Sequence, residues 1–255
     1  MTQPPPAEIG DDIADIDTPA LIVDLDAFEA NVAKMAENVK EFGLRLRAHS
    51  KTHKCSEIAR RQVAAGAIGV CCQKVGEAED MVAGGVQDVY VSNEVWGAKK
   101  LARLAELAKT ATISICVDDA QNVGDLGTAA RAAGVTLNVY VEIDVGAGRC
   151  GVNPGEDGAE LAAVVVAEEG LNFAGLQAYQ GSAQHIRTIN ERGAAIGNAC
   201  DNVKLTLDAL AARGIQADTV TGAGTGSFRF EANSGLYHEL QCGSYIFMDA
   251  DYAQN

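Results

Sequence analysis

The sequence predicts an α/β protein folded as a closed (β/α)8 barrel of the TIM type, and three observations carry that expectation. From Leu44 onward the chain holds eight strand-like runs, seven of them followed by a helical run or by a loop long enough to cross over. Short βαβ units demand right-handed crossovers and therefore parallel strands, and eight of them point to a closed barrel rather than an open doubly wound sheet. Finally, 255 residues with 47% hydrophobic content suit one barrel domain with a large core.

Residues 1–18 read as a polar, proline-bearing tail. Thr18 to Asp24 is expected to be a short apolar strand, a ninth that precedes the barrel and pairs elsewhere, so residues 1–25 form a tail and strand and residues 26–255 the barrel. Asp26 can cap a helix running to about Phe42, with Phe28, Val32, Met35 and Val39 at helical spacing. In Leu44 to Lys54, Leu44, Leu46 and Ala48 alternate with Arg45, Arg47 and His49, the period of a strand whose faces differ in polarity. A helix through Ile58, Val63 and Ala64 closes at Gly66, Ile68 to Cys72 is a strand, and Val75 to Val82 is a helix ended by Gly84 and Gly85. Then come a strand Asp88 to Ser92, a helix from about Ala98 to Lys109, a strand Thr112 to Val117, a helix Ala120 to Ala133 closed by Gly134, and a strand Leu137 to Asp144. The remainder reads as a helix near Gly158 to Glu169, a strand Phe173 to Tyr179, a long helix near Ile186 to Arg213, a strand Asp218 to Thr221, and a last strand near Leu240 to Met248.

A formal net charge of -15 makes nucleic acid an improbable partner, since phosphate backbones need a basic face. The seven cysteines form neither a Cys-x-x-Cys pair nor a secreted disulfide framework and read as reduced thiols. No apolar run is long enough to span a bilayer, so a soluble cytoplasmic protein is expected.

Barrel chemistry sits where the strands end, and several exits carry reactive groups. The first leads into His49, Lys51 and His53, the fifth into a glycine-flanked loop with Arg149, and the sixth into Tyr179 and His185. The seventh leads into Thr221-Gly222-Ala-Gly224-Thr225-Gly226, and Gly243-Ser244 follows near the eighth. Glycines interspersed with hydroxyls let backbone N–H groups approach phosphate oxygens. Taken alone, the basic run also suits a solvated edge strand, the glycine loop a tight turn, Arg149 a stem covering apolar surface and Tyr179 a core aromatic. Their placement at one barrel end favours a phosphate cradle facing a privileged lysine. That combination suggests a Schiff-base enzyme using pyridoxal 5'-phosphate, with Lys51 made nucleophilic by burial and by the neighbouring Arg47, His49, His53 and Lys54.

The Arg-x-His-x-Lys-x-His-Lys run at 47–54, Asp-Val-Gly-x-x-Arg-x-Gly at 144–151, Gln-x-Tyr-x-Gly-x-x-Gln-His at 177–185, Thr-Gly-x-Gly-Thr-Gly at 221–226 and Gly-Ser-Tyr-x-Phe-Met-Asp at 243–249 resemble the D-threonine aldolase and 3-hydroxy-D-aspartate aldolase group of fold-type III pyridoxal phosphate enzymes. The resemblance implies Lys51 as the Schiff-base lysine, Arg149 at the cofactor's O3' side and Tyr179 at its pyridine ring. It implies His185 near the substrate β-hydroxyl and Gly222, Gly224, Thr225, Gly243 and Ser244 around the phosphate. The implied reaction is retro-aldol cleavage of a β-hydroxy-D-amino acid, with 3-hydroxy-D-aspartate giving glycine and glyoxylate as the leading case, D-threonine-type substrates beside it, and Arg187 or Arg229 as candidate partners of the extra carboxylate. Such enzymes resemble one another in being homodimers and in having a further β-domain that binds a divalent metal, magnesium or manganese. On that resemblance the metal ligands, and the partner of the Thr18 to Asp24 strand, are expected beyond Asn255. A D-serine dehydratase, an amino-acid racemase, and a barrel that binds the cofactor without catalysis are the alternatives.

Overall fold

The computed structural model describes residues 5–254. Eight parallel strands close into a barrel in chain order: β1 (Arg45–His49), β2 (Gly69–Cys72), β3 (Asp88–Val91), β4 (Thr112–Val117), β5 (Leu137–Glu142), β6 (Leu171–Ala178), β7 (Thr219–Gly222) and β8 (Glu239–Leu240). Helix α1 (Leu25–Phe42) precedes β1, and α2 (Ser56–Ala64), α3 (Val75–Ala83), α4 (Ala98–Leu107), α5 (Ala120–Ala133), α6 (Glu156–Ala167), α7 (Ile189–Ala212) and α8 (Phe228–Asn233) cross over between successive strands. Among the described residues no helix is long and apolar enough to cross a membrane.

Strand alternation decides what each layer is made of. Val70, Val89, Val91, Ile113, Ile115, Val139, Val141, Leu176 and Val220 point outward into one continuous apolar mantle under the helices. Leu46 and Ala48 join a second cluster with Phe28, Val32, Met35 and Val39 of α1, the helical stripe the sequence predicts. The barrel interior is largely polar. Tyr90 donates to Gln177 Oε1 across the barrel at 2.9 Å, and Gln241 Nε2 donates to Gln177 Oε1 at 2.7 Å and to Thr221 Oγ1 at 2.8 Å. Toward the N-terminal end of the strands, Arg47 pairs with Asp88 and, at 3.0 Å, with Glu239, whose Oε1 also accepts from Thr221 at 2.8 Å.

Three expectations need correction. The cap of α1 is Asp24, which accepts from Ala27 N at 2.9 Å, and not Asp26. Residues 20–24 carry no regular secondary structure, because no described strand offers them a ladder partner; Leu21 and Ile22 are exposed. The last strand ends at Leu240, and closure continues through isolated hydrogen bonds, Gln241 N to Gly222 O at 2.7 Å and His49 N to Cys242 O at 3.1 Å, before a 3-10 turn at Ser244–Ile246. The connection after β7 contains the short helix α8, whose six residues are too few for a periodic signal.

Candidate active site

Lys51 is presented by the end of β1. Because Leu46 and Ala48 are buried outward, Arg47 and His49 turn inward, and the chain leaves the barrel through a 3-10 turn, Ser50–Thr52. Ser50 Oγ pins that turn to Cys71 O at 2.8 Å, and His49 Nδ1 accepts the backbone N–H of Lys51 at 3.3 Å. With Nδ1 an acceptor, the ring proton sits on Nε2, which faces Ser92 Oγ at 3.3 Å.

Lys51 and His49 line a cavity at the C-terminal mouth together with Gln73, Ser92, Arg149, Gln177, Tyr179, Ala223, Gly224, Thr225, Gln241, Gly243, Ser244 and Tyr252. Lys51 reaches through this mouth with its ammonium 5.9 Å from the Tyr179 ring centroid, and the Arg149 guanidinium carbon lies 5.6 Å from the same ring. The cavity wall desolvates the Lys51 ammonium and the charge of Arg149 repels it, so its pKa falls below the ordinary lysine value. Burial, and then the positive charge of Lys51, push His49 down to about 3, so it stays neutral. The cation acting on Lys51 is therefore Arg149 from 98 residues later in the chain, by count from 51 to 149. The basic neighbours in its own stretch do not supply it: Arg47 is held by Asp88 and Glu239, and His49 is uncharged.

Arg149 is in turn held by Glu142 at the end of β5, its Nη2 donating to Oε1 at 3.1 Å. Burial, and then the neighbouring Glu94 carboxylate, raise Glu142 to about 7, with Arg149 acting against the rise. Desolvation raises the Tyr179 phenol to about 12, which keeps it protonated.

Opposite Lys51, the chain from Gly222 to Ser227 makes the glycine loop. Ala223 takes a left-handed φ of 70°, Gly224 and Thr225 line the mouth, and Thr225 Oγ1 is buried without a hydrogen-bond partner. Gly243 must be bare for packing, since a Cβ there would stand 2.7 Å from His49 O. An unpartnered hydroxyl among small residues at one end and a desolvated amine at the other fit the phosphate and the carbonyl of pyridoxal phosphate.

The structure thus brings Lys51, Arg149, Tyr179, Gly224, Thr225, Gly243 and Ser244 together and leaves four expected residues, Gly222, His185, Arg187 and Arg229, outside the lining. Gly222 belongs to β7, where a Cβ would lie 2.2 Å from Ala178 O in β6. Gly222→Ala is therefore expected to lower stability by about 3 kcal/mol through overpacking against backbone; a melting temperature unchanged from wild type would refute that reading. His185 is exposed at the rim, Nδ1 2.7 Å from Asp251 Oδ2, with its ring 6.2 Å from that of the lining residue Tyr252. Arg187 pairs with Asp251, and Arg229 donates to Asn38 Oδ1 at 3.1 Å; neither lines the mouth. Sequence reasoning missed Tyr252, which lies past the last strand in a stretch with no periodic pattern.

Among the described residues one group, Glu94, Cys116 and Glu142, brings three candidate metal donors within 4.8 Å of one another. A thiol beside two carboxylates, one already paired with Arg149, suits a hard cation such as magnesium or manganese poorly.

The chain is 50% identical over 251 residues to a 3-hydroxy-D-aspartate aldolase of Paracoccus denitrificans (strain Pd 1222), covering 98% of this chain and 65% of that protein. It is 51% identical over 254 residues to a D-threonine aldolase of an Arthrobacter species, covering 99% of this chain and 66% of that one. The crystal structure of D-threonine aldolase from Filomicrobium marinum superposes with a TM-score of 0.96 at 54% identity, over 98% of this chain and 67% of that chain. The chain spans about two thirds of the length of these relatives. The family described as alanine racemase, N-terminal domain, matches residues 23–251, and with its closed eight-stranded parallel barrel the chain belongs to that family.

Proposed function

We propose that this barrel serves retro-aldol cleavage of β-hydroxy-D-amino acids with pyridoxal phosphate, taking 3-hydroxy-D-aspartate to glycine and glyoxylate and admitting D-threonine-type substrates. The observation that carries the reading is the Lys51 amine, held at the barrel mouth with a lowered pKa, facing Thr225, Gly224, Gly243 and Ser244. The two aldolase relatives support it.

In this reading Lys51 would hold the cofactor through its carbonyl, the carbonyl oxygen leaving as water, and the uncharged amine this needs is favoured by desolvation and by Arg149. Thr225 and Ser244 would donate hydroxyl protons to the phosphate, with Gly224 and Gly243 lining the same end of the mouth. Arg149 stands over the Tyr179 ring, from where it would orient the cofactor's O3' side. When bound, the cofactor supplies an electron sink for the pair left at the substrate Cα. His185, its Nδ1 tied to Asp251, has Nε2 to take the β-hydroxyl proton as the Cα–Cβ bond breaks. No step is assigned to a metal on the described residues. The same reading carries a homodimer and a cytoplasmic setting, the latter supported by seven cysteines all unpaired.

The test is product analysis after incubation with pyridoxal phosphate and 3-hydroxy-D-aspartate, D-threonine or D-serine, with and without manganese. Glycine with glyoxylate or acetaldehyde is expected; ammonia with a keto acid, or the opposite enantiomer, would overturn the aldolase reading.

A further inference from the structure

We propose that Glu142 is the positioning residue for Arg149, and that Glu142 and the half-buried Glu94 form a carboxyl pair in which Glu142 carries a proton whose loss tightens the hold on Arg149. The proposal rests on the reading of Arg149 as a cofactor-binding residue. Glu142 is 3% exposed at the end of β5, and its two oxygens differ. Oε1 accepts from Arg149 Nη2, whereas Oε2 is buried with no hydrogen-bond partner. A buried carboxylate oxygen without a donor is costly. A proton seated on it removes that cost, because the neutral acid can donate to the carboxylate of Glu94, which the cluster geometry brings within 4.8 Å.

The groups facing Glu142 come from three directions. Glu94 from the loop after β3 repels its charge, Tyr90 of β3 and Cys116 of β4 are neutral, the thiol donating to Glu94 Oε1 at 3.9 Å, and Arg149 and Cys150 stand on its own loop. Arg149 by its charge and Cys116 by a thiol hydrogen bond favour the charged form, against burial and the charge of Glu94. Glu142 gives up its proton against burial and the charge of Glu94, and that step falls at about 7. Below it, Arg149 faces a neutral acid; above it, a carboxylate that holds it by a charge-assisted bond. The guanidinium spread over Tyr179 is thus fixed most firmly on the alkaline side.

The experiment has two arms on the 255-residue chain. Infrared difference spectra of the cofactor-free chain between about pH 6 and about pH 9 should show a protonated carboxyl band titrating in wild type, missing in Glu142→Gln, and titrating at lower pH in Glu94→Gln, whose like charge is gone. Glu231, also raised to about 7, contributes a second band that both variants retain. Pyridoxal phosphate titrations should show Glu142→Gln binding about tenfold more weakly than wild type at alkaline pH and losing the pH break, because the amide cannot make the charge-assisted bond. Glu142→Asp should recover part of the affinity. An infrared titration the same in wild type and Glu142→Gln, or a break unmoved in Glu94→Gln, would overturn the pair. Cofactor affinity equal in wild type and Glu142→Gln at every pH would overturn the positioning role. A titrating carboxyl in a wild type that binds no cofactor would support the pair and sink the proposed function instead.

Discussion

Replacing Lys51 with alanine is expected to leave the barrel folded and to abolish covalent capture of pyridoxal phosphate. Lys51 is exposed along much of its length in the mouth and contributes to neither apolar cluster of the mantle, so truncation opens no core cavity. The variant also removes a repulsion, since Lys51 and Arg149 each stand near the Tyr179 ring with like charge. The measurement is borohydride reduction in the presence of cofactor, followed by peptide mass analysis. Wild type should carry the added mass on the peptide containing Lys51, and Lys51→Ala only the background of surface lysines. Because the Lys51 pKa is lowered, the uncharged amine is available at lower pH than on an exposed lysine, so labelling near neutral pH should favour Lys51 over the surface. A visible absorbance band that survives in Lys51→Ala would remove the foundation of the functional reading.

Arg47→Met should be the most damaging substitution on the other side of the barrel. Arg47 is buried, donates to Glu239 at 3.0 Å and also pairs with Asp88, and Glu239 is itself 1% exposed. Truncating one member leaves a carboxylate buried without its counter-charge, a loss of about 3–5 kcal/mol. For a domain of this size that corresponds to a melting temperature lower by roughly 10 °C. Adding Glu239→Gln removes the orphaned charge and should restore a large part of the loss, the signature of coupled neighbours. A single variant within about 1 kcal/mol of wild type in urea unfolding would show that water or Thr221 already satisfies Glu239.

The contrast between Arg47 and Lys51 shows what the sequence could and could not reveal. Period-2 alternation correctly assigned the faces of β1, because Leu46 and Ala48 must leave the polar side to find α1. Helical spacing likewise found α1 and the helices between the strands, where burial on one stripe leaves a repeating mark. The run Arg47 to Lys54 looked like one basic cluster because a sequence carries no depth. The two strand residues from Arg47 to His49 rise about 7 Å and the turn Ser50–Thr52 follows, enough to commit Arg47 to carboxylates of β3 and β8 while Lys51 emerges at the mouth. The partner that does act on Lys51, Arg149, is joined to it only by barrel closure. Glycine gave mixed signals for a similar reason: Gly224 and Gly222 sit two apart in one motif, yet one lines the mouth and the other makes room for the backbone of β6. A missing Cβ does not say which of two close approaches required it. Tyr252 and the two-residue β8 fall where no repeat is long enough to read.

That short β8 has a dynamic consequence. It meets β1 through only two register pairs, Arg45 with Glu239 and Leu46 with Leu240, and β7 through two, Thr221 with Glu239 and Gly222 with Leu240, whereas β5 and β6 share six. Local opening begins where the fewest cooperative bonds must break together, so the barrel has one built-in line of breathing along the β7 and β8 seam and another along the β8 and β1 seam. Amide protons there should exchange with solvent before those between β5 and β6. Lys51 rises from one bank of the β8 and β1 seam and Gly243 and Ser244 from the other, so a molecule bridging the amine and the glycine loop would act as a clasp across it and slow exchange along the whole seam.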